Sequence, residues 1–281
     1  MKTASAIKLS SPATREFWEI PVLFEDEHLL ALDKPAGLLT SPETEVAAEI
    51  KTEAEGKIVE RPSLMKLLHA AIADGKPWAR ERNLTYLVNE HRLEADTSGV
   101  LLLAKNKPAH MALADLFGCE KPQRKYIALV RGNLLEESFE VNARLAPHPL
   151  KPSLMRVDKD NGKAAKTKIT LLENFTRAGY ALVKCEPVTD RPHQIRVHLS
   201  HVDLPIVADG LYGGKNLWLS RLKKDFRLKP GHEERPLLSR AALHFEELSL
   251  PHPVTGENMT ITAPLPKDLK VALKYLRLYA N

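Results

Sequence analysis

Hydrophobic positions along the chain fall into short runs separated by polar turns, and the runs differ in period. From Pro21 the text PVLFEDEHLLALDKPAGLL reads as a strand ending at Phe24, an acidic turn, an apolar strand over residues 29–32, and a break from Pro35 to Gly37. That order predicts a β-hairpin. Residues 100–104 are continuously apolar, the mark of a strand buried on both faces. Asn106 and Pro108 follow as an N-cap and an early-turn proline, so a helix is predicted to Phe117, stopped by Gly118. Strand-like runs recur at 126–130, 166–172, 180–185 and 243–250. Residues 191–201 read as a helix behind Thr189, Asp190 and Pro192. Leu64, Leu67, Leu68 and Ala71 mark a further helix at helical spacing within 63–73.

Strands outnumber helices and do not alternate with them regularly, so the expected class is α+β, with a mixed, mainly antiparallel sheet flanked by helices. Residues 1–18 are polar and are expected to form a flexible N-terminal arm, followed by one domain over 19–281. Within that domain, the Glu-rich stretch that opens residues 42–88 and the basic stretch 215–236 stand out as insertions.

Composition narrows the class. The 281 residues are 43% hydrophobic, enough for a substantial core and against overall disorder. Lys and Arg total 41 against 36 Asp and Glu, a net charge of +5 that permits an anionic partner without requiring one. Cys119 and Cys185 lie far apart with no zinc-ligand spacing around them, which argues against a disulfide framework or a structural metal. The first twenty residues lack the apolar core of a signal peptide, and no run approaches a membrane span. A cytoplasmic protein is expected.

Candidate chemistry concentrates in residues 91–99, where His91, Arg92, Glu94, Asp96, Thr97 and Ser98 crowd one turn ahead of the buried strand. On composition alone this is a solvated turn in which Asp96 and Thr97 bond nearby N–H groups. The segment HRLEADTSG also resembles the HRLD-x-x-TSG motif of the RluA-type pseudouridine synthases, and Val100 to Lys105 resembles the strand that follows it. Further segments resemble the same family in the same order. They are EDEH at 25–28 with KPAG at 34–37, RKYIALVRG at 124–132, RPHQIRVHL at 191–199, DGLYGG at 209–214, Leu243-His244, and PHPVTG at 251–256. The resemblance spans residues 19–270.

What the resemblance implies is a pseudouridine synthase catalytic fold that isomerises uridine in structured rRNA or tRNA. It needs no cofactor and no metal, and its partner is the RNA. The resemblance places the catalytic carboxylate at Glu94, where the family has Asp. It places the ring that stacks on uracil at Tyr126 and the arginine paired with the carboxylate at Arg196, with Arg191 as the alternative. Arg92, Arg191, His193 and Gln194 are implied in RNA binding. Among the basic stretches, Lys215, Lys223 and Lys224 are read as phosphate contacts.

The Glu94 substitution leaves two functions open. One is an active synthase. The other is an RNA-binding relative with impaired or lost catalysis, since misplacing a reacting group by on the order of 1 Å costs on the order of a hundredfold in rate. A metal-dependent hydrolase using His91, Glu94, His193 and His198 is a third class. It is disfavoured because residues five apart on a helix do not share a face.

Overall fold

The computed structural model describes residues 6–42, 49–51, 58–119 and 122–280, and the chain divides into two compact units. The first comprises Met1–Pro122 with Glu247–Ala263, the second Gln123–Glu246 with Pro264–Asn281.

The first unit holds β1 (Ala6–Ser11), β2 (Glu16–Glu25), β3 (Leu29–Lys34), β4 (Glu49–Lys51), β5 (Ile58–Glu60), α1 (Leu64–Ala73), α2 (Pro77–Glu81), β6 (Val88–Asn89), β7 (Ser98–Ala104) and α3 (Lys107–Gly118). Its sheet runs β1-β2-β3-β7 with β6 also on β7, every pair antiparallel. All seven residues of β7 are buried, as the unbroken apolar run requires. Against one face lie Leu64, Met65, Leu68 and Ala71 of α1, which join Ile7, Ile20, Leu30, Leu32, Leu101 and Leu103 in one core. α3 begins where expected: the Asn106 side chain accepts a hydrogen bond from the Ala109 N–H at 3.0 Å.

The expected arm over residues 1–18 is corrected from residue 6 on. β1 pairs with β2 from Ala6↔Pro21 to Ser11↔Glu16, and Ile7 is fully buried. The polar composition hid a two-residue alternation in which Ile7, Leu9 and Ser11 face inward and Lys8 and Ser10 outward. In the stretch 42–88 the structure has the β4–β5 hairpin, both short helices and β6. Residues 43–48 and 52–57 lie outside the described residues.

The second unit is built on β8 (Gln123–Arg131), β9 (Ser138–Asn142), β12 (Lys166–Phe175) and β13 (Tyr180–Pro187), in the antiparallel order β8-β13-β12-β9. A separate hairpin pairs β10 (Leu145–His148) with β11 (Lys151–Val157). α4 (Gln194–His201), α5 (Leu219–Leu222) and α6 (Lys267–Tyr279) complete it, the last burying Leu269, Ala272, Leu273 and Leu276. β14 (Leu243–Pro251) starts in this unit. From Glu247 on it belongs to the first unit, where it pairs with β15 (Asn258–Thr262). The expected single domain over 19–281 is thus two units in structure. α4 starts three residues later than expected. Arg191 precedes a proline, which disfavours helical backbone there, and His193 is left-handed at φ 54°.

In the first unit the turn after β14 is fixed by His252. Its Nδ1 accepts from the N–H groups of Val254 and Thr255, so the proton sits on Nε2, which donates to Asp26 at 2.8 Å. Burial opposes the charge on Asp26. The N–H groups of Leu29 and His28, with His252, outweigh it and hold that carboxyl below its ordinary value.

Because Ile7 is a core residue, Ile7→Ala is expected to lower unfolding free energy by about 3 kcal/mol in urea titrations. A flexible arm would give no change.

Candidate active site

The polar turn 90–97 enters β7, and its backbone is tied down by the segment that follows β3. Thr40 Oγ1 donates to the Leu93 carbonyl at 2.7 Å and accepts from the Leu93 N–H at 3.1 Å. Lys34 is fully buried, and its ammonium donates to the carbonyls of Pro35, Leu38 and Ala95 at 2.8, 2.6 and 3.2 Å. The Gly37 N–H reaches the Ala95 carbonyl at 2.8 Å from a left-handed turn at φ 87°, a conformation that suits glycine. His91 Nε2 accepts from the Leu102 N–H at 3.0 Å, and its ring stacks on Phe117 at 5.4 Å. This scaffold presents Glu94 half-buried, with Arg92 and Asp96 exposed on either side. KPAG and HRLEADTSG, distant in sequence, are therefore two halves of one loop assembly.

In the second unit Tyr126 lies on β8 opposite Cys185 of β13, half-buried, with its ring stacked on Phe245 at 4.4 Å. Burial pushes the Cys185 thiol well up from its ordinary range, so it is an inert core residue. Arg196 is buried on α4 and grips Asp209 through two hydrogen bonds, Nε to Oδ2 and Nη2 to Oδ1, both 2.7 Å. Its guanidinium also lies over the Tyr212 ring, 4.8 Å from the centroid. The Tyr212 hydroxyl accepts from the Met155 N–H at 3.0 Å and shares a 2.6 Å hydrogen bond with His193 Nδ1. The structure therefore gathers Arg196, Asp209, Tyr212 and His193 into one cluster.

Gln194 departs from its expected role. Only 4% exposed, it donates through Nε2 to the Lys166 carbonyl and Thr167 Oγ1 and accepts at Oε1 from Thr189. It anchors the start of α4 to β12 and is removed from the RNA-facing set. Arg191 is partly exposed, with its guanidinium on the carbonyls of Ala164 and Asp190. Lys215 and Lys224 are exposed, while Lys223 sits 6.0 Å over the Tyr279 ring of α6.

His198 is likewise no metal ligand. Its Nε2 pairs with the Ala143 carbonyl at 3.0 Å and Nδ1 with Thr167 Oγ1 at 2.9 Å, which engages both ring nitrogens of a neutral imidazole. Burial, more than any other influence, lowers its pKa from the ordinary 6.5.

Two supports were not singled out beforehand. Asp209 and Lys34 both stood inside segments that resembled the family, but nothing in a linear sequence marks a buried charge or names its partner.

Residues 28–201 match the family described as RNA pseudouridylate synthase. The chain belongs to that family, and within it to the RluA type. It is 36% identical over 91% of its length to ribosomal large subunit pseudouridine synthase D of Xanthomonas campestris, covering 69% of that protein. It is 34% identical over 91% to ribosomal large subunit pseudouridine synthase C of Salmonella typhi, covering 70% of it. In fold it is similar to human RNA pseudouridylate synthase domain containing 4, with TM-score 0.63 and 23% identity over 91% of this chain and 92% of that one. No helix among the described residues is long and apolar enough to cross a membrane.

The lowered pKa of His198 carries a sign. The unfolded chain binds this proton more readily than the folded one, so stability is complete above 6.5 and falls as pH drops below it toward the folded value. Melting temperatures measured between neutral and mildly acidic pH are expected to fall more steeply for the native chain than for His198→Gln.

Proposed function

We propose that this chain isomerises a specific uridine of structured RNA to pseudouridine in the cytoplasm, without a cofactor, and that large-subunit ribosomal RNA is its first candidate substrate. The observation that carries this reading is the 36% identity, over 91% of the chain, to a ribosomal large subunit pseudouridine synthase. In the reaction the bond from ribose C1′ to N1 breaks, the uracil turns, C1′ joins C5, and the proton on C5 leaves while N1 gains one. No atom is added or lost.

Glu94 supplies the carboxylate that acts at the sugar, held by a loop that Lys34 and Thr40 immobilise. Tyr126 offers its ring to the uracil and its hydroxyl to the C5 proton. The resemblance gives Arg196 the part of favouring the ionised carboxylate. Arg92, Arg191, His193, Lys215, Lys223 and Lys224 serve the phosphates, where cations release condensed counterions. The target base leaves its stack to reach the carboxylate.

A second reading, an RNA-binding relative with impaired turnover, is favoured by one observation: Glu94 stands where the family motif has Asp. Its longer side chain has to fold back to bring the carboxylate to the same point.

Mapping pseudouridine in cellular RNA with and without the gene is expected to reveal at least one uridine that depends on this chain. Glu94→Ala abolishes that signal, Tyr126→Phe abolishes it while RNA affinity changes little, and Glu94→Asp raises it. A native chain that leaves every site unchanged gives the second reading the lead. In both readings RNA affinity is expected to fall steeply between low and physiological salt, measured by filter binding.

A further inference from the structure

Arg196 is the cation on which the proposed chemistry depends, and two residues without a part in that chemistry hold it. Asp209 is 2% exposed and accepts from both Nε and Nη2, so the guanidinium cannot rotate about its Cδ–Nε bond without breaking both hydrogen bonds. The ring of Tyr212 lies under the same group, 4.8 Å from Cζ to the centroid, and is itself fixed by Met155 and His193.

The turn that carries them is closed. Asp209 donates its N–H to the Ile206 carbonyl, and its own carbonyl accepts from the N–H groups of Tyr212 and Gly214 at 3.2 and 2.8 Å. A Cβ at Gly214 would overlap the Ile206 carbonyl oxygen, so only glycine closes the turn in this form.

Stability alone accounts poorly for such a pair. A buried ion pair loses much of its attraction to desolvation, and apolar replacements of similar volume are often as stable. What an apolar pair cannot do is fix the direction of a guanidinium fork.

We infer that Asp209, with Tyr212 beneath the same guanidinium, is a positioning residue that sets the orientation of Arg196 for uridine isomerisation. This inference rests on the functional reading above. Asp209 touches no reacting atom and acts through Arg196. Asparagine at 209 keeps the shape but turns an amide N–H₂ toward guanidinium N–H groups, so one hydrogen bond is lost and the fork is released.

The test uses the full chain and an unmodified large-subunit rRNA transcript. Asp209→Asn is expected to lower the single-turnover rate of pseudouridine formation on the order of a hundredfold, the usual scale for a reacting group displaced by about 1 Å. RNA affinity and the folded fraction at assay temperature, followed by circular dichroism, should stay near those of the native chain. Asp209→Glu, which restores the charge, recovers part of the rate. Combined with Arg196→Lys, Asp209→Asn adds little to the loss that Arg196→Lys causes alone, because both act through one group.

A rate that falls only in proportion to the folded fraction, or two losses that multiply in the double variant, overturns the positioning role. Should Asp209→Asn fail to fold, Asp209→Glu decides: a reduced rate in the folded variant supports the role, and a native rate overturns it. A native chain that forms no pseudouridine in the transcript or in cells overturns the functional reading and this inference with it. Native turnover beside an unimpaired Asp209→Asn overturns this inference alone.

Discussion

A charge taken out of water must be answered by acceptors, and in the first unit that requirement falls on Lys34. Unanswered, a buried ammonium costs several kcal/mol even after relaxation. Its acceptors come from the exit of β3, at Pro35 and Leu38, and from the loop before β7, at Ala95. One ammonium therefore joins two stretches some sixty residues apart, a separation of 61 for the Ala95 bond. Gly37 and Thr40 repeat the connection from either side of Leu38, with a backbone N–H and a hydroxyl. The loop that offers Glu94 has its shape because its carbonyls are spoken for. β7 can then be wholly buried, because the backbone polar groups of the loop are bonded before the strand enters the core.

α4 meets the same demand by another route. Six consecutive residues from Gln194 to Leu199 are buried on a helix of eight, so this stretch has no side turned to water and only its end at His201 is exposed. Each polar side chain among them has to bond inward. Gln194 turns to Lys166 and Thr167, Arg196 to Asp209, and His198 to Thr167 and Ala143. Thr167 is shared between Gln194 and His198, which couples one face of the helix to β12. The left-handed His193 ahead of the helix lets the chain arrive at this angle while its ring reaches Tyr212.

Much of this was legible in sequence, for reasons that differ by element. The buried strand at 100–104, the Asn106 cap and the hairpin of β2 and β3 each leave a local signature, and each stands where that signature put it. The α+β class followed from the count and order of such elements. β1 was missed because Lys8 and Ser10 diluted an alternation only six residues long. Residues of the RPHQIRVHL segment were legible as a group but not in their parts. Chemistry suggests that Arg, His and Gln all face a ligand, yet burial assigns Gln194 and His198 to the interior. A sequence states which groups can form hydrogen bonds, and only packing decides with whom. That is why Asp209 stood in plain view without its partner.

The hairpin that replaces the expected arm also leaves β1 as the outermost strand of its sheet among the described residues, with one row of backbone N–H and C=O groups that no described strand pairs. Such a margin is a template on which the strand of another molecule could continue the sheet. Two traits of β1 discourage this: it is only six residues long, and the charged Lys8 stands on its outward face. The polar residues that disguised the strand in the sequence thus help keep crowded copies of the chain apart.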